Sequence, residues 1–119
     1  MQQMCSTDQV ADPVRGHILA GLTGLPVGDE SFHVLLERPG AKIERIVSPP
    51  GFSTPAGEWM EEATEEFVLI IEGRARLEVE GTAPLDLNPG DHLRIPAGCR
   101  HRVASTDEHH ATIWLAVHC

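Results

Sequence analysis

The feature that most constrains this fold is the regular interruption of the chain by glycine and proline. The 119 residues include 11 glycines and 9 prolines. Several of them cluster at residues 39–40, 49–51, 88–90 and 96–98. Such clusters favour tight turns and interrupt helices. At spacings of about 8 to 12 residues they predict a series of short strands and no helix.

The stretches between these turns carry the alternation of apolar and polar residues that is typical of strands. The sequence around Ala75, Leu77 and Val79, for example, places Arg76 and Glu78 on the opposite face. About eight strands are expected, and such a series predicts an all-β antiparallel sandwich or barrel. The predicted strands are residues 31–38, 42–48, 66–72, 74–80, 85–87, 93–95, 99–104 and 111–118.

Composition sets the broad class of the protein. The formal net charge is −9, with only nine Lys and Arg residues, which argues against nucleic acid or an anionic membrane as a partner. No apolar stretch is long enough to span a bilayer, and residues 1–16 lack the apolar core of a signal peptide. Three widely spaced cysteines form no disulfide framework, so a reducing cytoplasm is expected. We expect a flexible tail over residues 1–15 and one domain over residues 16–119.

The most informative segment runs over residues 90–105. It places Gly90, Pro96, Gly98, His101 and Ser105 at spacings that resemble the second signature motif of the cupins, with serine where the family has asparagine. The resemblance implies an antiparallel double-stranded β-helix, the jelly-roll barrel of that family. It also implies that His101 points into the barrel as a metal ligand.

The first cupin motif is matched only in part. Its glutamate and its final glycine correspond to Glu66 and Gly73. Its two histidines have no counterpart here. Their positions hold Trp59 and Glu61 if the gap before the glutamate is four residues, and Met60 and Glu62 if it is three. The similarity to cupins extends over about residues 35–118, and the missing histidines leave two hypotheses for the site.

The first hypothesis is a rebuilt metal site, in which Glu61 (or Glu62) and Glu66 supply carboxylate oxygens and His101 supplies its imidazole nitrogen. Two carboxylates and one imidazole can bind zinc, nickel, manganese or iron and leave positions open for water or substrate. The protein would then act on a small polar metabolite such as a sugar derivative or a carboxylic acid. Whether it catalyses a reaction stays open at this point.

The second hypothesis is a metal-free barrel that binds a small molecule or has a regulatory role without catalysis. Glu66 and His101 would then face each other and act as an acid–base pair or hold a polar ligand. Trp59, Cys99 and Trp114 are the candidate lining of that ligand pocket, although each can also serve simply as a packing residue.

The segment 66–72 is apolar on both faces, which predicts cover on its outer side as well. Phe67, Leu69 and Ile71 would form that outer face. In cupins of this size a homodimer commonly supplies the cover, and we therefore expect a homodimer. The alternative is that the segment around Ile18 to Leu25 folds over it.

Overall fold

The chain forms eight β-strands joined by tight turns, as described by a computed structural model for residues 12–119. Turns and irregular segments make up the rest of this part of the chain, without a helix. The described residues thus offer no helix with the length and hydrophobicity of a membrane span. The strands are β1 (Ser31–Arg38), β2 (Ala41–Ser48), β3 (Glu66–Glu72), β4 (Ala75–Val79), β5 (Leu85–Leu87), β6 (His92–Ile95), β7 (His101–Thr106) and β8 (Thr112–His118).

The strands form two antiparallel sheets that face each other. The larger sheet has the order β1-β2-β8-β3-β6, and the smaller one has the order β5-β4-β7. The chain crosses between the sheets at several connections, including the one from β3 to β4, as expected of the jelly-roll topology. The prediction of an all-β antiparallel double-stranded β-helix is therefore confirmed.

All eight predicted strands lie within two residues of their observed bounds, and the largest shift is at β7. The sequence predicts a start at Cys99, but the strand begins at His101. A turn accounts for the difference, because the amide of Cys99 donates to the carbonyl of Pro96 at 3.1 Å. Cys99 thus belongs to the turn, and alternation along β7 does not apply to it.

A long segment between β2 and β3 runs beside β7 and extends the smaller sheet. Met60 and His101 exchange two backbone hydrogen bonds of 2.7 and 2.9 Å, and Thr54 bonds the backbone of Val103 through both its amide and its hydroxyl. These contacts attach both ends of the stretch 54–60 to β7. Between them the chain makes an exposed turn, in which the amide of Glu58 donates to the carbonyl of Pro55 at 3.1 Å.

The N-terminal part of the described chain is fastened to the outer face of the larger sheet. The buried guanidinium of Arg45 donates from Nη1 to the carbonyls of Ile18 (3.0 Å) and Ala20, and its Nη2 lies 3.3 Å from Nδ1 of His33. Residues 18–25 therefore lie against β2. The alternative considered from the sequence is that they cover β3. Most of the predicted flexible tail, residues 1–15, lies outside the described residues.

The barrel interior is filled by inward side chains of both sheets. β3 alternates as predicted: Val68 and Ile70 are buried in the core, whereas Phe67, Leu69 and Ile71 are half-buried on the outer face. The buried core cluster consists of Ile46, Val68, Ile70, Ala75, Leu77, Leu87, Val103, Trp114 and Ala116. Several titratable residues enter this interior at one end, and that end forms the site described below.

Gly73 makes the tightest crossing between the two sheets. Its φ of +79° lies in the left-handed region, and a Cβ there would sit 2.5 Å from Oγ1 of Thr112 and 2.7 Å from its Cα. Thr112 also donates to the carbonyl of Arg74 at 3.0 Å and accepts from its amide at 3.3 Å. The start of β8 is therefore fixed against the β3–β4 connection, where only glycine leaves enough space.

This close approach predicts a large loss of stability for Gly73→Ala. Gly81→Ala is the matched control, because Gly81 has a similar φ of +86° but no atom within 4 Å of the position that a Cβ would take. We expect Gly81→Ala to lower the free energy of unfolding by about 1 to 2 kcal/mol, through its backbone conformation alone. Gly73→Ala should cost at least about 2 kcal/mol more, because backbone atoms of β8 must also shift. Urea unfolding measures both, and equal losses would contradict the crowding argument.

Candidate functional site

The polar end of the barrel encloses a cavity of about 130 Å³. Its polar lining is made of four glutamates and two histidines, and the remaining lining is apolar. The polar residues are Glu30, Glu44, Glu62, Glu66, His101 and His118. Titratable side chains that converge in an apolar cavity are the usual mark of a binding or catalytic site.

Three of these residues form a row across neighbouring strands of the larger sheet. Glu44 lies on β2, His118 on β8 and Glu66 on β3, and β8 pairs with both of the other strands. Nε2 of His118 lies 2.8 Å from Oε2 of Glu44 and 3.6 Å from Oε2 of Glu66. The alternation of each strand turns all three side chains inward, so that one imidazole lies between two buried carboxylates.

His101 reaches the same carboxylate from the smaller sheet. Its Nε2 lies 3.3 Å from Oε1 of Glu66, and both side chains are buried. Its Nδ1 lies 3.0 Å from the carbonyl of Cys99, which can only accept, so Nδ1 carries the hydrogen. The turn before β7 therefore fixes the ring orientation and presents Nε2 to Glu66.

Glu30 approaches the cavity from the segment that precedes β1. Its Oε2 accepts a 2.6 Å hydrogen bond from the hydroxyl of Ser48. That hydroxyl accepts in turn from the indole N–H of Trp114 at 2.9 Å. Ser48 and Trp114 are buried, so this chain of hydrogen bonds holds the Glu30 carboxyl in one position.

Burial and neighbouring charges shift the pKa of two of these groups. Burial lowers the pKa of His101, but the hydrogen bonds to Glu66 and to the Cys99 carbonyl, with the charges of Glu66 and Glu62, raise it above its usual 6.5 overall. Burial raises the pKa of Glu30, the Ser48 hydrogen bond opposes this, and the charge of Glu66 adds to the rise. Both groups therefore favour their protonated forms more than in water.

The metal ligands predicted from the sequence are only partly brought together. Glu66 and His101 are in contact, but Glu61 is exposed and does not line the cavity. Its neighbours Met60 and Glu62 do line it. Because Met60 is paired with His101, alternation turns residues 60 and 62 inward and residue 61 outward. The two residues of the register with the shorter gap therefore line the cavity, Glu62 at its exposed rim.

Of the three pocket residues predicted from the sequence, one lines the cavity and two do not. Trp114 lines the cavity, whereas Trp59 and Cys99 are half-buried and absent from the lining formed by the described residues. Trp59 lies under the guanidinium of Arg100, whose Cζ is 5.4 Å from the ring centroid. Cys99 contributes its backbone carbonyl to the site through His101.

Sequence reasoning missed three of the site residues. From the sequence, His118 either caps the end of its strand, which is the favoured interpretation, or reaches the pocket, and Glu44 and Glu30 are not assigned to the site. A signal is present for the first two. His118 shares the parity of Trp114 and Ala116 on β8, and Glu44 shares that of Ile46 on β2. Glu30 precedes a strand and has no such signal.

The cavity residues offer the right donor types for a metal, but they do not form a ready-made metal site. Among residues 12–119, no group of three or more His, Cys, Asp or Glu side chains is arranged to hold an ion. The Nε2 atoms of His101 and His118 lie 3.3 and 3.6 Å from the two oxygens of Glu66. Two ligands of one tetrahedral metal, each at about 2.0 to 2.1 Å, lie about 3.4 Å apart. Each imidazole–carboxylate distance is thus close to that spacing, although the two distances involve different oxygens of Glu66.

A larger groove of about 420 Å³ lies on the outside of the smaller sheet. Its charged lining includes both signs, with Arg76 and Asp86 3.8 Å apart and exposed to solvent. The opposite charges of Arg76 and Asp86 offset each other in water. Among the described residues, no buried titratable side chain lines the groove. The small cavity is therefore the candidate functional site.

The contact between Glu66 and His101 predicts how the histidine titrates in metal-free protein. Because folding raises its pKa, protonated His101 stabilises the fold below about pH 6.5, and that contribution is lost as the pH rises through the folded pKa. NMR titration should show a higher pKa for His101 in the folded than in the urea-unfolded protein. Glu66→Gln should lower the folded value, and Glu65→Gln, on an exposed carboxylate paired with Arg94, should leave it unchanged. An unchanged value in Glu66→Gln would contradict the pairing.

Comparisons with known proteins agree with this architecture. Residues 45–118 match the family model Cupin_2, described as a cupin domain. The chain is 50% identical to the crystal structure of "a putative mannose-6-phosphate isomerase" from Ralstonia eutropha JMP134, with a TM-score of 0.81, over 90% of this chain and 98% of that one. No curated protein sequence matches the chain significantly.

More distant structures share the fold alone. A cupin superfamily protein from Desulfitobacterium hafniense DCB-2 is 20% identical, with a TM-score of 0.70, over 90% of this chain and 92% of that one. The lyase DddQ from Ruegeria pomeroyi DSS-3 is 23% identical, with a TM-score of 0.64, over 75% of this chain and 46% of that one. From its family match and its fold, the chain belongs to the cupins.

Proposed function

We propose that this cupin binds one divalent transition metal through Glu66, His101 and His118 and acts on a small polar molecule in the adjoining cavity. The observation that carries the proposal is the position of the Glu66 carboxylate. It lies between two imidazole Nε2 atoms that come from opposite sheets, at 3.3 and 3.6 Å. Buried carboxylates and histidines at this spacing are stabilised by a shared cation or by shared protons.

The orientation of the His101 imidazole supports ligation through Nε2. A metal-binding histidine almost always donates its other ring N–H to a carbonyl or carboxylate. His101 does so, from Nδ1 to the Cys99 carbonyl. His118 hydrogen-bonds Glu44 through Nε2 itself, so ligation there requires the ring to give up that proton. Glu44 would then act as a fourth ligand, because it lies against the ligating nitrogen.

The donor set narrows the range of metals. Two histidines and one carboxylate form the zinc site of several hydrolases and also the facial triad of non-haem iron enzymes. His118 thus replaces Glu61 in the ligand set that the sequence suggested, and the set becomes richer in nitrogen. Zinc, iron, nickel and manganese remain the candidates, and the bound ion would act as a Lewis acid toward a polar substrate.

The metal proposal is tested by comparing His118→Ala with Glu61→Ala, which separates the ligand set of the structure from that of the sequence. Wild-type protein loaded with zinc, nickel, manganese or iron and then dialysed should hold about one ion per chain. His101→Ala and His118→Ala should lose it, and Glu61→Ala should keep it. Glu44→Gln should bind more weakly, as expected for the loss of a fourth carboxylate ligand. Elemental analysis and competition with a chelator measure each value.

Circular dichroism of each variant shows whether the barrel is intact. Loss of metal in Glu61→Ala but not in His118→Ala would restore the ligand set suggested by the sequence. A wild-type protein that retains no ion after loading with all four metals would overturn the proposal. The second candidate function would then apply.

That second candidate is a metal-free barrel that binds a small ligand. It is favoured by the contacts that the side chains already make, such as the 2.8 Å pair of Glu44 and His118. In this case Glu66 and His101 share a proton and hold a polar group of the ligand directly. A ligand that quenches Trp114 emission equally in metal-free and metal-loaded protein would support it.

We also propose that the chain forms a homodimer through β1, the edge strand of the larger sheet. Four apolar residues of β1 are exposed: Phe32 (57%), Val34 (53%), Leu35 (54%) and Leu36 (45%). β1 pairs only with β2 among the described residues, which leaves one edge with free backbone groups. An exposed apolar edge is a template for pairing, and a second copy offers the same edge. The outer face of β3, where the sequence predicted cover, is half-buried instead.

The dimer predicts a mass of twice the 13.0 kDa of one chain in light scattering. Leu36→Lys should shift the mass toward 13.0 kDa, because a charge would be buried twice in a two-fold interface. Glu37→Gln changes the net charge by the same amount on the same strand and should leave the dimer intact. A wild-type chain that is monomeric at high micromolar concentration would rule out this interface.

A further inference from the structure

The lining of the barrel cavity carries an excess of negative charge. Four glutamates and two histidines line it, and none of the lining residues found in the described chain is a lysine or arginine. Lys42, which is not part of the lining, lies 3.8 Å from Oε1 of Glu44 and is partly exposed. If Glu30 is protonated and either His101 is protonated or a divalent ion is bound, the remaining carboxylates still outnumber the positive charges. An anionic ligand would therefore meet like charges, of which those of Glu44 and Glu66 are buried.

The cavity is also small. Its volume is about 130 Å³, and its remaining eight lining residues are apolar. A protein cavity of about 150 Å³ holds a molecule of about six non-hydrogen atoms, such as benzene. A phosphorylated hexose has more than twice as many. The cavity interior is therefore too small for the whole of such a ligand, and the rest of it would extend past the exposed Phe32 and Glu62 at the rim.

The Glu30 carboxyl keeps one oxygen available to a ligand. The Ser48 hydroxyl has a single proton, which it donates to Oε2 of Glu30, because the indole N–H of Trp114 occupies it as a donor. Among residues 12–119, Ser48 is the hydrogen-bond partner found for this carboxyl. Oε1 of Glu30 is therefore left to bind a hydroxyl or carbonyl group of a ligand, as acceptor when ionised and as donor when protonated.

From these observations we propose that the ligand of this barrel is a small uncharged polyol or hydroxycarbonyl held by Glu30, and that the cavity rejects phosphorylated sugars. The inference rests on the proposed function in using the same cavity, and it specifies the class of molecule that enters. It departs from the name of the Ralstonia protein, which refers to a sugar phosphate. Glu30 lies outside the residues that match the cupin family model, so the family match itself says nothing of this group.

Four probes separate charge from size. Glycerol is a neutral molecule of the size that fits, and glycerol 3-phosphate adds only the charged group. Mannose and mannose 6-phosphate form the matched larger pair. Binding is measured from the emission of Trp114 in a Trp59→Phe background, and by saturation-transfer NMR on the wild-type chain in case that variant folds poorly. Each titration is made with metal-free and with zinc-loaded protein.

We expect saturable binding of glycerol at millimolar concentration or below, and binding of glycerol 3-phosphate at least about 10-fold weaker. Both mannose compounds should bind more weakly than glycerol. Glu30→Gln removes one charge without changing the shape, and should weaken glycerol binding while it narrows the gap between glycerol and its phosphate. Glu58→Gln, on an exposed glutamate that does not line the cavity, is the control and should change neither.

Each other outcome counts against the proposal. Tighter binding of either phosphate than of its neutral partner would overturn the charge argument, and tighter binding of mannose than of glycerol would overturn the size argument. No saturable binding of glycerol would overturn the assigned ligand class. Failure of the metal proposal is recognised separately, because the metal-free titrations report on the ligand whether or not an ion binds.

Discussion

The structure depends above all on the position of β8 between β2 and β3. This one strand pairs with both neighbours over almost its whole length. Its register places Thr112 against Gly73, the indole of Trp114 beside Ser48, and His118 between Glu44 and Glu66. A slip by one residue would turn all three side chains to the other face. The sheet crossing, the core and the polar site are therefore set by the same pairing.

The site illustrates how a barrel can keep a polar centre after losing part of its signature. The first motif lacks both histidines, and β8 supplies an imidazole from a different strand to the same carboxylate. The cost of burying Glu44 and Glu66 is offset because each faces an imidazole within the cavity. A centre of this kind is built by two sheets at once, so its geometry depends on how they pack rather than on any single loop.

The fold could be predicted almost completely from the sequence, and the site only in part. Turn residues and alternation determine the strands, and the spacing around His101 identifies the barrel and the inward histidine. The sequence misplaces Glu61 in the site because residues 54–62 do not form a regular strand, and their inward parity is set by the bond between Met60 and His101. That contact spans about forty residues, and no local pattern encodes it. Glu30 escapes prediction for a similar reason, since its position depends on Ser48 and Trp114.

The hydrogen bonds from Arg45 to the carbonyls of Ile18 and Ala20 affect which part of the chain can fold on its own. The family match begins at Arg45 itself, and a fragment cut there would leave a buried guanidinium without its carbonyl acceptors. Its Nε already lacks a hydrogen-bond partner among the described residues. Such a fragment would also lack β1, and with it the partner of β2. The barrel therefore needs a longer stretch of chain than residues 45–118 to fold on its own. Truncation at residue 45 would remove contacts that stabilise the larger sheet.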